Sequence, residues 1–233
     1  MSSSPWGCLW LLRACSPSQQ WLGHLATVQS VCPTWKTQVF SWAVVNPGIF
    51  DYLPCLPAYS VAILLYLTHK YKVPDHWYPQ DLQARARVDE YMAWQHTTLR
   101  KSCLRALWHK VMFPVFLGEQ VPSERLAATL AELDVNLKML EDKFLQDKAF
   151  LVGPHISLAD LVAITELMHP VGGGCPVFEG HPRLAAWYRR VKAAVGEDLF
   201  QEAHEVILKV KDSPPVNPII KQKIMPRVLT LIQ

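Results

Sequence analysis

The chain lacks the features that mark several large classes of protein. None of its apolar runs reaches the ~18 residues of a membrane-spanning helix. Its opening stretch, "WGCLWLLRACS", carries no positive charge ahead of a short apolar segment that Arg13 interrupts, so it makes a poor secretory signal. The six cysteines, at 8, 15, 32, 55, 103 and 175, contain no C-x-x-C. Cys103 with His109 and Cys175 with His181 are lone pairs without the second pair that zinc needs. No metal is expected, and the thiols read as buried hydrophobes of a reducing, cytoplasmic compartment. A net charge of +3 gives no footprint for nucleic acid. Lys209, Lys211, Lys221, Lys223 and Arg227 gather toward the C-terminus and read as a solvated tail. The glycine triplet 172–174 lacks the Lys-Ser/Thr and preceding strand of a phosphate-binding loop, and reads as a plain loop.

What the sequence does have is a change of character near Ser60. Before it the charged side chains are Arg13, Lys36 and Asp51, while Trp6, Trp10, Trp21, Trp35 and Trp42 and four of the six cysteines crowd in. After it, charge and apolar residues alternate with helical regularity. Val88, Met92, His96, Leu99, Cys103, Leu107 and Val111 predict one face of a long helix from Asp81 to Met112, ended by Pro114. Leu126, Leu130, Leu133, Leu137, Leu140 and Phe144 predict a second. Pro182 opens a fourth, burying Leu184, Trp187, Tyr188, Val191 and Val195, and a fifth runs from about Asp198 to Val210.

The third helix has the clearest start, in "LVGPHISLADLVAITEL". Ser157 precedes the apolar run and Asp160 stands three residues on. The Ser157 hydroxyl can accept from the N–H of Asp160, and the carboxylate can reach back to the N–H of Ser157, which makes a capping box. Ile156 and Leu161 have the spacing of a hydrophobic staple.

The run "SVAILLYLTHKYKVPDHWYPQDLQARARVDEYMAWQHTTLR", with "LEDKFL", "LVGPHISLADLVA" and "FEGHPRLAAWYRRV", resembles the cytosolic glutathione transferases, most closely the theta class. The resemblance extends from about Ser60 to the C-terminus. It implies a mainly α fold, the all-helical C-terminal domain of that family over residues 80–233. Residues 60–79 would be the last helix of the thioredoxin-like domain and a linker, and residues 1–59 an atypical or replaced N-terminal segment. It also implies glutathione as co-substrate with no other cofactor, small electrophilic or apolar molecules as partners, and a homodimer. Ser60 matches the serine of the family's Glu-Ser glutathione pair, but Tyr59 stands where the glutamate belongs. Arg100, Leu104, Trp108 and Met112 fall at intervals of four, and in theta-class proteins an arginine at this place lies near the active site. They are the expected wall of the electrophile pocket. The thiol-activating serine has no clear counterpart: Ser16 and Ser18 in "CSPSQQW" read more simply as a polar turn. Losing the charge partner for the ammonium of glutathione costs about tenfold or more in affinity, so conjugation is expected at or near the uncatalysed rate. The tail "IIKQKIMPRVLTLIQ" resembles the theta-class segment that folds over the site.

The capping box yields a stability test. Ser157→Ala should cost about 1 kcal/mol or somewhat more, measured as a fall in the denaturant midpoint at unchanged slope; an unchanged midpoint would mean that the helix does not begin there.

Overall fold

In the computed structural model, the described residues are 60–212 with 214–215, 217–219, 221–222 and 225, and of Ser60 and Phe116 only the backbone. The expectations for Ser16, Ser18, Tyr59 and the earlier cysteines therefore lie outside the described residues, as does most of the C-terminal tail. The chain divides into two units, Met1–Val73 and Pro74–Gln233. The described part of the first holds α1 (Ser60–Lys70), which buries Ile63, Leu64 and Leu67 and ends on His69 and Lys70, where cations suit the helix dipole.

The described residues of the second unit form helices joined by turns, without a strand. A 3₁₀ turn, Asp75–Trp77, buries Trp77 before α2 (Leu82–Thr97) begins. Asp81 caps α2, its carboxylate accepting from the N–H of Ala84 at 2.7 Å. The single helix predicted from Asp81 to Met112 is in fact interrupted. Thr98, with φ −113° and ψ −75°, separates α2 from α3 (Leu99–Leu107), and a π-helical segment, Trp108–Leu117, follows.

Two expectations about this stretch are corrected. His96 is exposed, and Gln95 is buried in its stead. At about 100° per residue, Val88, Met92, Gln95 and Leu99 stay on one stripe while residue 96 falls past its edge. Nor does Pro114 end the helix, which runs on to Leu117. In an α-helix the proline ring clashes with the carbonyl four residues back, and the wider i→i+5 turn moves that carbonyl aside, while the N–H that proline lacks leaves one bond of the segment unmade. Gly118 makes the stop, at φ 65°, its N–H donating to the carbonyl of Phe113.

The second predicted helix is present as α4 (Ser123–Met139) and a π-helical continuation, Leu140–Leu145. Leu133, Leu137, Leu140 and Phe144 are buried as expected, and Leu126 and Leu130 half-buried.

The central element is α5 (Leu158–Gly172), whose residues from Leu158 to Met168 are all buried. A helix apolar on every side belongs inside a bundle, and α2, α3, α6 (Pro182–Val195) and α7 (Glu197–Leu208) pack around it. The capping box forms. Asp160 Oδ2 accepts from the N–H and the hydroxyl of Ser157, each at 2.9 Å. Its Oδ1 accepts from the N–H of Leu151 at 2.9 Å and from the indole N–H of Trp187 at 2.8 Å. Ile156 and Leu161, the staple pair, are buried. Burial pushes the Asp160 carboxyl above its ordinary range, and these four hydrogen bonds oppose the shift.

A second buried carboxylate starts α6. Glu141 Oε1 accepts from the N–H groups of Arg183 at 2.8 Å and Leu184 at 3.2 Å, while Oε2 meets Nδ1 of His181 at 3.1 Å. The other ring nitrogen of His181 meets Asp134 at 3.1 Å. The predicted inward residues of α6 are buried except Tyr188, which is half-buried.

Gly172 is not in a loop but is the last residue of α5. A Cβ there would lie 2.2 Å from the carbonyl oxygen of Ile207, so the absence of a side chain is what lets α7 approach. On α7, the buried ring of His204 packs at a tilt against Phe200 with centroids 4.3 Å apart and donates from Nδ1 to the Phe200 carbonyl at 2.8 Å.

Burial pushes the pKa of His204 down to about 4; the hydrogen bond to Phe200 opposes this and the nearby His169 adds to it. A depressed folded-state value means that stability is complete above the unfolded histidine's ~6.5 and is lost as pH falls through the folded value. Between pH 7 and 4, His204→Gln should therefore lose less stability than the parent by up to about 3 kcal/mol, read from denaturant midpoints at the two pH values. Equal losses would show that His204 takes no part in acid unfolding.

Candidate functional site

The residues expected to meet substrate fall on two separate stretches. Ser60 is the first residue of α1, and its side chain lies outside the described set. Arg100 and Leu104 stand on α3, and Trp108 and Met112 on the π-helical segment. The stripe is graded in exposure. The Arg100 side chain is 39% exposed, Leu104 is half-buried, and Trp108 and Met112 are buried. A step of four advances an α-helix by about 40°, and the wider turn from Trp108 onward winds back part of that drift, which keeps Met112 near the line. Phe113 packs edge-on against Trp108 with ring centroids 5.8 Å apart.

Arg100 does not stand as an isolated cation. Its Nε meets Oε1 of Glu166 at 3.1 Å, and the Glu166 side chain is only 4% exposed. The other carboxylate oxygen of Glu166 has no hydrogen-bond partner among the described residues and lies 3.8 Å from Nδ1 of His169. The phenol of Tyr91 lies in the same interior and is pushed well above its usual pKa, first by burial and then by the charge of Glu166. Arg100 thus offers one edge to a carboxylate in the core and the rest of its guanidinium toward solvent. That arrangement lets it attract an anionic or polarised group while held in place by a buried neighbour.

Glu166 escapes a reading by periodicity alone. Its signal was nonetheless available: one acidic letter inside the apolar run "LVAITELM" requires a buried partner. The two described thiols, Cys103 and Cys175, are free and buried, and burial raises the pKa of each. They are protonated and inert, and cannot replace the thiol of a bound co-substrate.

Comparison with known proteins places this helical unit. The family model for the glutathione S-transferase C-terminal domain matches residues 104–194. Glutathione S-transferase theta-1 of Mus musculus is 88% identical over 174 residues, covering 75% of this chain and 72% of that protein. This chain belongs to the theta-class glutathione S-transferases. The human theta-1 protein is 82% identical over the same length and the same shares of both chains. Among solved structures, human glutathione S-transferase T1-1 in its apo form superposes with a TM-score of 0.77 at 64% identity, covering 86% of this chain and 95% of that one. Human theta-2 bound to glutathione and an unknown ligand gives 0.70 at 37% identity, covering 85% and 95%. The theta-class chain has no helix among its described residues long and apolar enough to cross a membrane.

The ion pair supplies its own test. Removing one partner of a buried pair strands the other charge, which costs 3 to 5 kcal/mol in a dry interior and less where water reaches the guanidinium. Arg100→Leu should destabilise the theta-class chain by about 2 kcal/mol, and the double variant Arg100→Leu with Glu166→Gln should recover part of the loss. A single variant as stable as the parent would mean that Glu166 is compensated elsewhere.

Proposed function

We propose that this chain conjugates the thiol of glutathione to small electrophiles, with the face from Arg100 to Met112 forming the electrophile side of the site. The observation that carries this reading is the 88% identity to theta-1 over 174 of the 233 residues, a stretch long enough to include that face entire. The roles follow from chemistry. Trp108 and Met112, both buried, would back a carbon electrophile with apolar, polarisable side chains. Arg100, pinned by Glu166, stabilises negative charge developing on a leaving group or an opening epoxide oxygen. Ser60, matching the family's glutathione serine, would hold the γ-glutamyl end of the tripeptide. In this reading residues 80–233 are the all-α domain, 60–79 its connection, and 1–59 a segment that departs from the family.

A second reading rests on one sequence feature. Tyr59 replaces the family's glutamate, and no carboxylate then meets the ammonium of glutathione. On that reading the chain is a non-catalytic helical protein that binds apolar ligands or a family partner, and conjugation stays at the background rate expected from the sequence.

Both are tested by one series on the purified full chain: retention on immobilised glutathione, then steady-state conjugation with a small halogenated and a small epoxide electrophile. The proposal expects retention and turnover above the uncatalysed rate, with kcat falling about tenfold or more in Arg100→Ala as leaving-group stabilisation is lost. Absence of retention together with background turnover would overturn it in favour of the second reading.

A further inference from the structure

A cleft of about 560 Å³ opens within the helical unit, away from the face just described. Its walls come from two distant parts of the chain: the segment from the 3₁₀ turn into α2, and the loop before α5. The first contributes His76 and Arg87, and the second Lys148 and His155. The rest of the wall is mostly apolar or backbone, including Pro79, Val152 and Pro154. This size suits a small organic molecule.

The charge balance of the lining is one-sided. Four side chains that carry or can carry positive charge face the cleft, and no acidic side chain lines it. The acids nearby are engaged elsewhere, except the exposed Asp147 beside Lys148, which lines a separate hollow and lies 3.9 Å from Arg183. Asp75 accepts from the N–H of Gln80, Asp89 accepts from the Tyr78 hydroxyl, and Glu90 pairs with Lys143 at 2.8 Å. Asp160 is sealed behind Ser157 by its four donors. Among the described residues neither Arg87 nor Lys148 has a salt-bridge partner. Lys148 feels the consequence: partial burial and then the positive charge of Arg87 hold its ammonium below the usual lysine range, against the weaker pull of Asp160 and Glu90. His76 is fixed at the wall, its Nδ1 donating to the carbonyl of Ile156 at 2.6 Å, and its ring lies 6.1 Å from that of His155.

Two unpaired cations gathered around a largely apolar hollow are electrostatically incomplete, and an anion placed between them would relieve their mutual repulsion. A carboxylate would satisfy one of them. We propose that this cleft is a binding site for a small phosphate monoester, its dianion held between Arg87 and Lys148 and its organic part against Pro79, Val152 and Pro154. Arg87 supplies a planar fork for two phosphate oxygens and Lys148 a point charge for the third. The site stands independently of the conjugation reaction, since it shares no residue with the face from Arg100 to Met112.

The test is calorimetric titration of the full chain with phenyl phosphate, inorganic phosphate and phenol. Saturable binding of phenyl phosphate at one site per chain is expected, tighter than inorganic phosphate because of the apolar wall, with phenol binding weakly or not at all. Arg87→Gln and Lys148→Gln should each weaken phenyl phosphate about tenfold or more, and both should retain the parent's far-ultraviolet circular dichroism because Arg87 is exposed and Lys148 half-buried. Lys101→Gln, which removes an exposed cation outside the cleft, should leave the affinity unchanged. Failure of phenyl phosphate to saturate would overturn the proposal, as would equal affinity for phenol, unchanged affinity in both cleft variants, or an equal loss in Lys101→Gln.

Discussion

The helical unit depends on one acidic side chain that water does not reach. The Asp160 carboxylate gathers donors from the loop at Leu151, from the helix start at Ser157 and from the indole of Trp187 on α6. A buried carboxylate is costly unless its lone pairs are filled, and here two oxygens receive four donors. The same four contacts fix where α5 begins, how the preceding loop lies on it and where α6 crosses it. Since α5 is the element around which α2, α3, α6 and α7 pack, the position of the bundle's axis follows from that cluster.

Two further carboxylates are buried among the described residues, and each is neutralised differently. Glu141 sits at the N-terminus of α6, where two backbone N–H groups and the ring of His181 surround it. Glu166 relies on a guanidinium that is itself partly in water. Asp160 is held by neutral donors alone, whereas Glu141 and Glu166 each also face a partly exposed guanidinium, Arg183 at 3.7 Å and Arg100 at 3.1 Å, so two of the three buried charges are linked to the surface.

The parts of this structure legible in the sequence were those set by neighbours a few residues apart. The capping box at Ser157 is a contact between residues three apart and is present as the sequence predicts, and both members of the staple pair, Ile156 and Leu161, are buried. Trp187 and Leu151 complete the same cluster but could not be read, because their distance to Asp160 along the chain says nothing about their distance in space. The stripe of α2 was placed one residue out at His96, a position at the margin of the apolar face where a histidine's intermediate polarity gives no guidance. The run through Pro114 failed for a different reason. Proline stops an α-helix but not a π-turn, and the choice between them is made by packing. The candidate face from Arg100 to Met112 was accessible by resemblance, while its anchor Glu166 needed the tertiary contact. The basic cleft was invisible because its four titratable side chains are drawn from segments roughly seventy residues apart.

The three glycines 172–174 are the same letter under three different constraints, and they would not drift alike. The first is closed to every side chain by the backbone of Ile207. The second has ordinary contacts around a would-be Cβ, the nearest at 3.4 Å, and a right-handed backbone that alanine can adopt. The third has open space but φ +72°, which admits asparagine far more readily than a branched residue. Among homologous chains, this triplet should thus vary most at its centre, swap between a narrow pair of residues at its end and stay fixed at its beginning, a pattern of substitution that a flexible linker would not produce.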